Sequence, residues 1–268
     1  MKFNTNNFNI KTPMVMGICN VTPDSFSDGG KNFVKKDALK NIHNMIKNGA
    51  NIIDIGAESA RPGSNPLSYN EEIKRLKPIL KALPRDKFLI SVDSYKIETQ
   101  EFALKEGVHI INDIFGGSID LFHLTKKYKS GLVLMHTPAP PKIMQSKINE
   151  YKDVIEDIKK IFKNTIKQIE KSRIYPSKVW FDPGIGFGKN LKHNLEILGR
   201  LDEFKGMSGG VLLGASRKSF IAMNPYLGPV IMHGASDTHN SASYVAALNP
   251  SCQPKHCCIF LAVSTLPS

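Results

Sequence analysis

The sequence predicts an α/β protein made of repeated βα units, most simply a TIM (β/α)8 barrel. From Pro13 onward, short apolar runs alternate with amphipathic stretches of helical length, which is the pattern of a parallel sheet. The length of 268 residues and the hydrophobic share of 41% fit one such barrel or two small domains. Several apolar runs end abruptly in Asp, Asn, Gly, Lys or Ser, as strands do when they bring polar groups to the rim of a sheet.

Seven strands and six helices are predicted in alternation. The strands lie near residues 14–19, 51–55, 88–92, 109–112, 131–135, 178–182 and 210–214. The helices lie near residues 34–48, 70–82, 96–106, 119–129, 151–172 and 191–204. Seven βα units need an eighth to close a barrel, and the active site of such a barrel lies at the carboxyl ends of its strands.

The charge balance is strongly basic, with a formal net charge of +12 and a pI of about 9.4. Such a balance raises the possibility of nucleic-acid binding, because Lys and Arg neutralise phosphates. However, the lysines are scattered among acids, as in residues 151–173, and the chain shows no RNA- or DNA-binding motif. We therefore expect a solvated Lys-rich surface that attracts anionic substrates, and no nucleic-acid partner.

The chain shows no apolar run long enough to span a membrane, and its first ten residues are polar and rich in Asn. We therefore expect no membrane association, no signal peptide and a cytoplasmic location. Cysteines crowd the C-terminus, where Cys252, Cys257 and Cys258 lie near His256. A zinc cluster is one interpretation, but this spacing is not that of a structural zinc site.

Polar residues at equivalent strand ends are the main indication of a binding site. Asp93, Asn112 and Asp182 each follow an apolar run, and together they could line a pocket for a polar heterocycle. Magnesium ligation is the rival use of the carboxylates, and it would involve Asp54, Asp93, Asp113 and Asp182.

Two loops that follow predicted strands carry residues suited to ligand binding. Residues 20–30 form a loop rich in Gly, Ser and Asp that contains Phe26, and an aromatic side chain on such a loop can exclude water from a site. Residues 56–64 place Arg61 beside glycines, where its guanidinium suits a carboxylate or phosphate. For both loops the alternative is an ordinary solvated surface turn.

Later strand ends add further candidates. Residues 216–219 read Ser-Arg-Lys-Ser at a predicted helix start, a location that attracts anions, and Gly214 allows a ligand to approach closely. His136 is either a general base or a strand-end histidine held by a neighbour. Met135 is interpreted as a pocket wall.

Together these residues resemble the ordered motif set of the dihydropteroate synthase family, the folate-pathway target of sulfonamides. The resemblance runs from about residue 14 to 222 and is carried by residues 20–30, 59–63, 91–93, 111–113, 134–136, 182–190 and 216–219. It implies a transferase that condenses 6-hydroxymethyl-7,8-dihydropterin diphosphate with 4-aminobenzoate, with the help of Mg²⁺, to give 7,8-dihydropteroate and diphosphate.

The resemblance also implies a role for individual residues. The pterin would be bound by Asp93, Asn112, Met135, Asp182, Phe187, Gly214 and Lys218. The aminobenzoate would be bound by Phe26, Ser59, Ala60, Arg61, Pro62 and Ser219. Lys218, Asp93 and Arg217 would act in catalysis. Asn20 would lie beside the Mg²⁺ and the diphosphate.

The chain departs from this family at two places. Ala60 stands where the family usually has Thr, so a hydroxyl near the aminobenzoate is missing. After residue 222 the family continues with a strand that carries an Arg-Val-His motif for the diphosphate, but here the only charged residues in 222–268 are Asp237 and Lys255. We therefore predict barrel units 1 to 7 in residues 1–222, with the eighth βα unit eroded or replaced.

Residues 223–268 are then an atypical tail, either disordered or a makeshift eighth strand. The resemblance implies a homodimer formed through the last helices, and the altered tail puts this homodimer in doubt for the present chain. A pterin-binding relic without catalytic activity is the alternative function, because the Arg and His of the diphosphate motif are absent. A barrel of the folate methyltransferase type is a weaker alternative, since it would lack the loop of residues 20–30.

Overall fold

The computed structural model describes residues 2–3, 6–8, 14–22, 31–58, 66–139 and 151–214. Within these ranges the chain forms a seven-stranded parallel sheet whose strands follow one another in sequence order, with helices between them. A two-stranded antiparallel hairpin precedes the sheet. The predicted α/β class and the parallel sheet are thus confirmed.

The hairpin strands are β1 (Lys2–Phe3) and β2 (Asn6–Asn7). The sheet strands are β3 (Met16–Asn20), β4 (Ile52–Gly56), β5 (Leu89–Asp93), β6 (Ile110–Asp113), β7 (Gly131–Met135), β8 (Val179–Asp182) and β9 (Gly210–Val211). The helices are α1 (Lys31–Lys47), α2 (Tyr69–Leu80), α3 (Ile97–Lys105), α4 (Ile119–Tyr128), α5 (Val154–Lys171) and α6 (Leu191–Gly199).

The predicted strands and helices all correspond to observed ones, with two differences near the end of the described chain. Helix α6 ends at Gly199 and is followed by a separate 3-10 turn, Leu201–Phe204, where one helix through residue 204 was predicted. Strand β9 pairs only over Gly210–Val211, where a strand through residue 214 was predicted.

Side chains at the starts of helices fix where those helices begin. Four N-cap side chains accept a hydrogen bond from a backbone N–H in the first helical turn, which satisfies a donor that the helix itself leaves without a partner. They are Ser68 for α2, Ser118 for α4, Asp153 for α5 and Asn190 for α6. Each follows a loop from the carboxyl end of a strand, so these caps also limit the loops that face the site.

The sheet separates two apolar cores. The outer core lies between sheet and helices and includes Ile53, Ile55 and Phe181. The inner core is formed by alternate residues of the same strands, from Met16 and Ile52 to Trp180, and by Leu212 directly after β9. Because residues from both ends of the sheet meet in this inner core, the sheet is curled into a half-barrel.

The N-terminal hairpin covers the inner core and is an element that the sequence analysis did not predict. Phe3 is fully buried and its ring stacks on Trp180, with centroids 6.1 Å apart. Phe8 packs edge-on against both Phe3 and His109. These rings occupy the amino-terminal end of the half-barrel, so its polar opening is at the carboxyl ends of the strands.

Some predictions fall outside the described residues. These include the eighth βα unit, the division of the chain at residue 222 and the tail of residues 223–268. None of the helices that the structure describes is long and apolar enough to cross a bilayer.

Candidate active site

A row of four residues crosses the carboxyl ends of the first four sheet strands. Asn20 is in register with Gly56, Gly56 with Asp93, and Asp93 with Asn112. These positions face the same side as the inner core, since residues two apart on a strand share a face. We call these four residues the polar row. It places two amides and one carboxylate at one level above the apolar inner core.

Gly56 has no side chain and so leaves a gap between Asn20 and Asp93 in the polar row. A Cβ atom there would lie 2.9 Å from Asn20 Oδ1 and 3.6 Å from Asp93 Oδ2. The first distance is shorter than real Cβ contacts, so a side chain at this position would displace Asn20. Glycine therefore allows the side chains of Asn20 and Asp93 to lie on either side of one strand end.

Asp54 lies on the inner face one level below the polar row and orients Asn112. The Asn112 side-chain amide Nδ2 donates a hydrogen bond of 3.0 Å to Asp54 Oδ2. Asp54 is only 2% exposed. Since the Asn112 amide donates inward, its Oδ1 is left to accept a hydrogen bond from a ligand.

The carboxyl groups of this site are held in an environment that disfavours their charge. The pKa of Asp93 is raised well above its usual range, first by burial and then by the negative charges of Asp54 and Glu72. Burial also raises the pKa of Asp54, and the hydrogen bond from Asn112 opposes this. A ligand that presents N–H groups to Asp93 would relieve this burial of charge, because hydrogen bonds to a carboxylate favour its ionised form.

No group in the described ranges donates a hydrogen bond to Asp93, and none donates to Asp54 Oδ1, which is fully buried. Buried carboxylate oxygens are normally satisfied by donors. The polar row therefore has acceptor capacity that the protein part of the described structure does not use.

Strands β7 and β8 provide the other side of the site. Met135 is paired in register with Asp182, and both are buried. Their inner-face positions follow from Val133 and Trp180, which lie two residues earlier and belong to the inner core. Asp182 Oδ1 accepts a 2.7 Å hydrogen bond from the N–H of Gly184. Phe187, half-buried, lies in the loop that follows.

The structure brings together part of the predicted site. Asn20, Asp93, Asn112, Met135 and Asp182 lie at the carboxyl ends of their strands on the inner face. Gly214 follows β9 and is half-buried. The remaining predicted residues lie outside the described residues: Phe26, Ser59, Ala60, Arg61, Pro62, Arg217, Lys218 and Ser219.

Asp113 does not belong to the site, contrary to the rival interpretation of the acidic residues as magnesium ligands. Its carboxylate accepts hydrogen bonds from Gln100 Nε2 at 2.9 Å and from the N–H of Phe115 at 2.7 Å. Asp113 immediately follows Asn112, so its side chain points to the helix side of the sheet. The described ranges contain no group of three or more His, Cys, Asp or Glu residues arranged to hold a metal ion.

His136 follows Met135 and is only 4% exposed. Burial, and then the positive charge of Lys189, lower the pKa of His136 to about 3. A general base at neutral pH works best with a pKa near the operating pH. Of the two interpretations of His136, the structure supports the neutral strand-end histidine.

Glu58 is a residue that the sequence analysis did not single out. Its carboxylate accepts hydrogen bonds from Lys96, from the Tyr95 hydroxyl at 2.7 Å and from the N–H of Leu67 at 2.8 Å. Lys96 also lies 3.5 Å from Glu72. These contacts join the end of β4 to the segments before α2 and α3. The sequence gives no sign of this network, because Glu58 stands beside a loop and no periodic pattern of apolar residues surrounds it.

The fold and the site define a parallel α/β protein that binds a small polar molecule at the carboxyl ends of its strands. A family model described as pterin binding enzyme matches residues 16–249. The chain belongs to this family. The matched segment continues past residue 222, where the motif resemblance found in the sequence ends.

Individual relatives agree with this family. The chain is 44% identical over 220 residues to the dihydropteroate synthase of Escherichia coli strain K12, which covers 81% of this chain and 77% of the relative. It is similar to the Yersinia pestis dihydropteroate synthase in complex with a sulfonamide drug, with a TM-score of 0.75, 37% identity and coverage of 83% and 82% of the two chains. It is also similar to the Xanthomonas albilineans dihydropteroate synthase with 4-aminobenzoic acid, with a TM-score of 0.72, 32% identity and coverage of 79% of this chain and 76% of that one.

Proposed function

We propose that this chain acts as a dihydropteroate synthase in folate biosynthesis. The reaction joins 6-hydroxymethyl-7,8-dihydropterin diphosphate to 4-aminobenzoate and releases diphosphate. The identity to dihydropteroate synthases at 40% and 44%, over more than three quarters of each relative, supports this proposal. These relatives also support its interpretation as a transferase, and the similarity to the Yersinia pestis enzyme in complex with a sulfonamide drug supports its interpretation as a sulfonamide target.

The polar row is the single observation that carries the proposal. A pterin is a flat ring with an edge of adjacent N–H donors and ring acceptors, and it needs acceptors that are not already used by the protein. Asp93 and Asn112 lie side by side in register and offer such acceptors. In the proposed complex these two residues and Asp182 hydrogen-bond the pterin, and Lys218 adds a donor. Met135, Phe187 and Gly214 shape the slot around the ring.

The chemistry needs no covalent intermediate with the protein. The bond between the pterin methylene carbon and the diphosphate oxygen breaks, and the amine nitrogen of aminobenzoate forms a bond to that carbon. The amine then loses one proton. If diphosphate departs first, positive charge spreads from the methylene into the pterin ring. Carboxylates in contact with the ring, Asp93 and Asp182, would stabilise that charge in the transition state.

The proposed aminobenzoate site uses residues that lie outside the described ranges. Two loops, represented by Phe26 and by Ser59 to Pro62, would close over the aminobenzoate. Ser219 would present a helix start to its carboxylate. Arg217 and Lys218 would face the diphosphate and the pterin. Closure would exclude water and so protect a cationic methylene from hydrolysis.

Magnesium is the proposed cofactor. Asn20 lies at the end of β3 with its side-chain oxygen beside the Gly56 gap, and an amide oxygen is a suitable Mg²⁺ ligand. A site with one protein oxygen fits Mg²⁺, which keeps several waters and is usually completed by substrate phosphates. When bound, the ion would neutralise charge on the leaving diphosphate.

We also propose that the half-barrel is part of a (β/α)8 barrel whose eighth unit, in residues 223–268, is eroded or replaced. An altered last unit would leave strand β9 at an open sheet edge. It would also alter the last helices, through which the family forms homodimers.

The experiment that tests the proposed function is an assay of diphosphate release. Purified chain is mixed with 6-hydroxymethyl-7,8-dihydropterin diphosphate, 4-aminobenzoate and Mg²⁺, and both diphosphate and 7,8-dihydropteroate are measured. Release that requires aminobenzoate and is lost in Asp93→Ala supports the proposal. Binding of the pterin without release of diphosphate would instead identify the chain as a pterin-binding protein that does not catalyse the condensation.

A further inference from the structure

A buried lysine connects the ends of strands β7 and β8. Lys189 is only 4% exposed. Its ammonium nitrogen Nζ donates hydrogen bonds to the carbonyl oxygens of Gly184 at 2.9 Å, Phe187 at 2.9 Å and His136 at 3.4 Å. It also lies 5.9 Å from the centre of the Tyr151 ring. One side chain thus joins three backbone carbonyls from two separate parts of the chain.

The carbonyls that Lys189 binds belong to the segments that form one side of the proposed pterin slot. His136 follows Met135, and the segment from Gly184 to Phe187 follows Asp182. Gly184 begins a tight turn in which the N–H of Phe187 donates 3.1 Å to the Gly184 carbonyl. The turn therefore connects Asp182, which would bond the ring, to Phe187, which would pack against it.

The backbone of this segment is in a conformation that needs support. Gly184, Gly186 and Gly188 have φ angles of +70°, +79° and +60°. Such angles let carbonyls point inward to one place, where their partial negative charges repel one another. A buried carbonyl without a donor is costly. An ammonium supplies three donors and a full positive charge from a compact group, and charge-assisted hydrogen bonds are stronger than neutral ones.

We propose that Lys189 is a positioning residue for the pterin site, because it fixes the segment from Asp182 to Phe187 against the end of β7. This inference rests on the proposed function. It adds that the affinity for the pterin, and not that for aminobenzoate, depends on a buried cation that does not touch the substrate. The effect of the Lys189 charge on His136, whose pKa it lowers together with burial, is consistent with a cation at this place.

The test compares Lys189→Met with the wild-type chain. Met is similar in length to Lys and removes the charge and all three donors. Binding of 6-hydroxymethyl-7,8-dihydropterin diphosphate with Mg²⁺ is measured by calorimetry without aminobenzoate. We expect the dissociation constant of the pterin to rise at least about tenfold, the effect of losing charge-assisted support of this kind. The KM for aminobenzoate at saturating pterin is expected to stay within about twofold.

Two further variants keep the test decisive. Lys192→Met is the matched control, since Lys192 lies three residues after Lys189 and is exposed in the first turn of α6, and it should bind the pterin as the wild-type chain does. Lys189→Gln keeps an amide donor for part of the turn, so it should fold even if Lys189→Met does not. We expect it to raise the pterin dissociation constant by at least about threefold, because it lacks the charge.

Each outcome has a defined meaning. A variant that is less stable but binds pterin and aminobenzoate as the wild-type chain does would show that Lys189 has only a structural role, and would overturn the inference. Equal weakening of both substrates would overturn it as well. If the wild-type chain itself binds no pterin, the proposed function fails. This failure is distinct from failure of the inference about Lys189, because it is seen without any variant.

Discussion

Gly184 offers the sharpest test of how strands β7 and β8 approach each other at the site. It has a φ angle of +70°, and a Cβ atom there would lie 1.9 Å from the carbonyl oxygen of His136. Gly206 is its natural control, because its φ angle is +75° and a Cβ there would meet no atom within 4 Å. Alanine at either position costs the left-handed strain, about 1–2 kcal/mol. Only Gly184→Ala adds a clash.

The size of that clash follows from the distances. Ordinary Cβ contacts begin at 3.4 Å, so the His136 carbonyl would have to retreat by roughly 1.5 Å, from 1.9 to 3.4 Å. Such a shift would disturb the 2.8 Å bond from the His136 N–H to the Asp182 carbonyl and the bond from Lys189 to His136. At about 1 kcal/mol for each hydrogen bond, we expect Gly184→Ala to lower the free energy of unfolding by about 3 kcal/mol or more.

Urea denaturation of both variants measures the difference directly. Gly206→Ala should lose about 1–2 kcal/mol and Gly184→Ala about 2 kcal/mol more than that. The slope of the unfolding free energy against urea should be unchanged, so that the midpoints report stability. Equal losses for the two variants would refute the close approach of Gly184 to the end of β7.

Three further predictions concern charge. Glu58→Gln should lower the free energy of unfolding by about 2 kcal/mol, because Lys96 loses a partner whose side chain is only 14% exposed. Glu71→Gln, in an exposed pair, is the control and should leave the urea midpoint unchanged. Equal urea midpoints for Glu58→Gln and the wild-type chain would contradict this prediction. His136 stays neutral in the folded chain but takes up a proton in the unfolded chain. The free energy of unfolding should therefore fall as the pH drops below 6.5, by about 2 kcal/mol at pH 5. In urea titrations, His136→Gln should remove that share of the pH dependence. Asp93→Asn should raise the Tm by about 2–4 °C in scanning calorimetry, because a neutral amide avoids both the burial of a charge and the repulsion by nearby carboxylates that raise the pKa of Asp93. A lower Tm would argue against a buried, negatively charged environment around Asp93.

Much of the fold could be predicted because its strands are buried on both sides. In β7 every residue from Gly131 to Met135 is buried, so the strand appears in the sequence as one continuous apolar run that ends abruptly at His136. The N-terminal hairpin could not be found this way, since its strands have two residues each and show no period. Its position depends on tertiary contacts between Phe3 and Trp180.

The sequence was enough to predict that the site lies at strand ends, but not which face of the sheet each side chain is on. Asn112 and Asp113 are adjacent and both are polar and buried, yet one faces the cavity and the other a helix. A shift of one residue in a strand reverses the face, and apolar runs without alternation do not reveal it. Lys189 was missed for a different reason. Lysines are usually exposed, and only the fold shows that the Gly-rich segment folds back around this one.

The central claim is that the inner face of the strand ends, and not their outer face, binds the pterin. The most direct measurement is the affinity of 6-hydroxymethyl-7,8-dihydropterin diphosphate for the wild-type chain, Asp93→Asn and Asp113→Asn, determined by calorimetry on folded protein. Asp93 should be essential, with binding at least about tenfold weaker in Asp93→Asn, while Asp113→Asn should bind within about twofold of the wild-type chain. Pterin binding that survives in Asp93→Asn and is lost in Asp113→Asn would contradict the account.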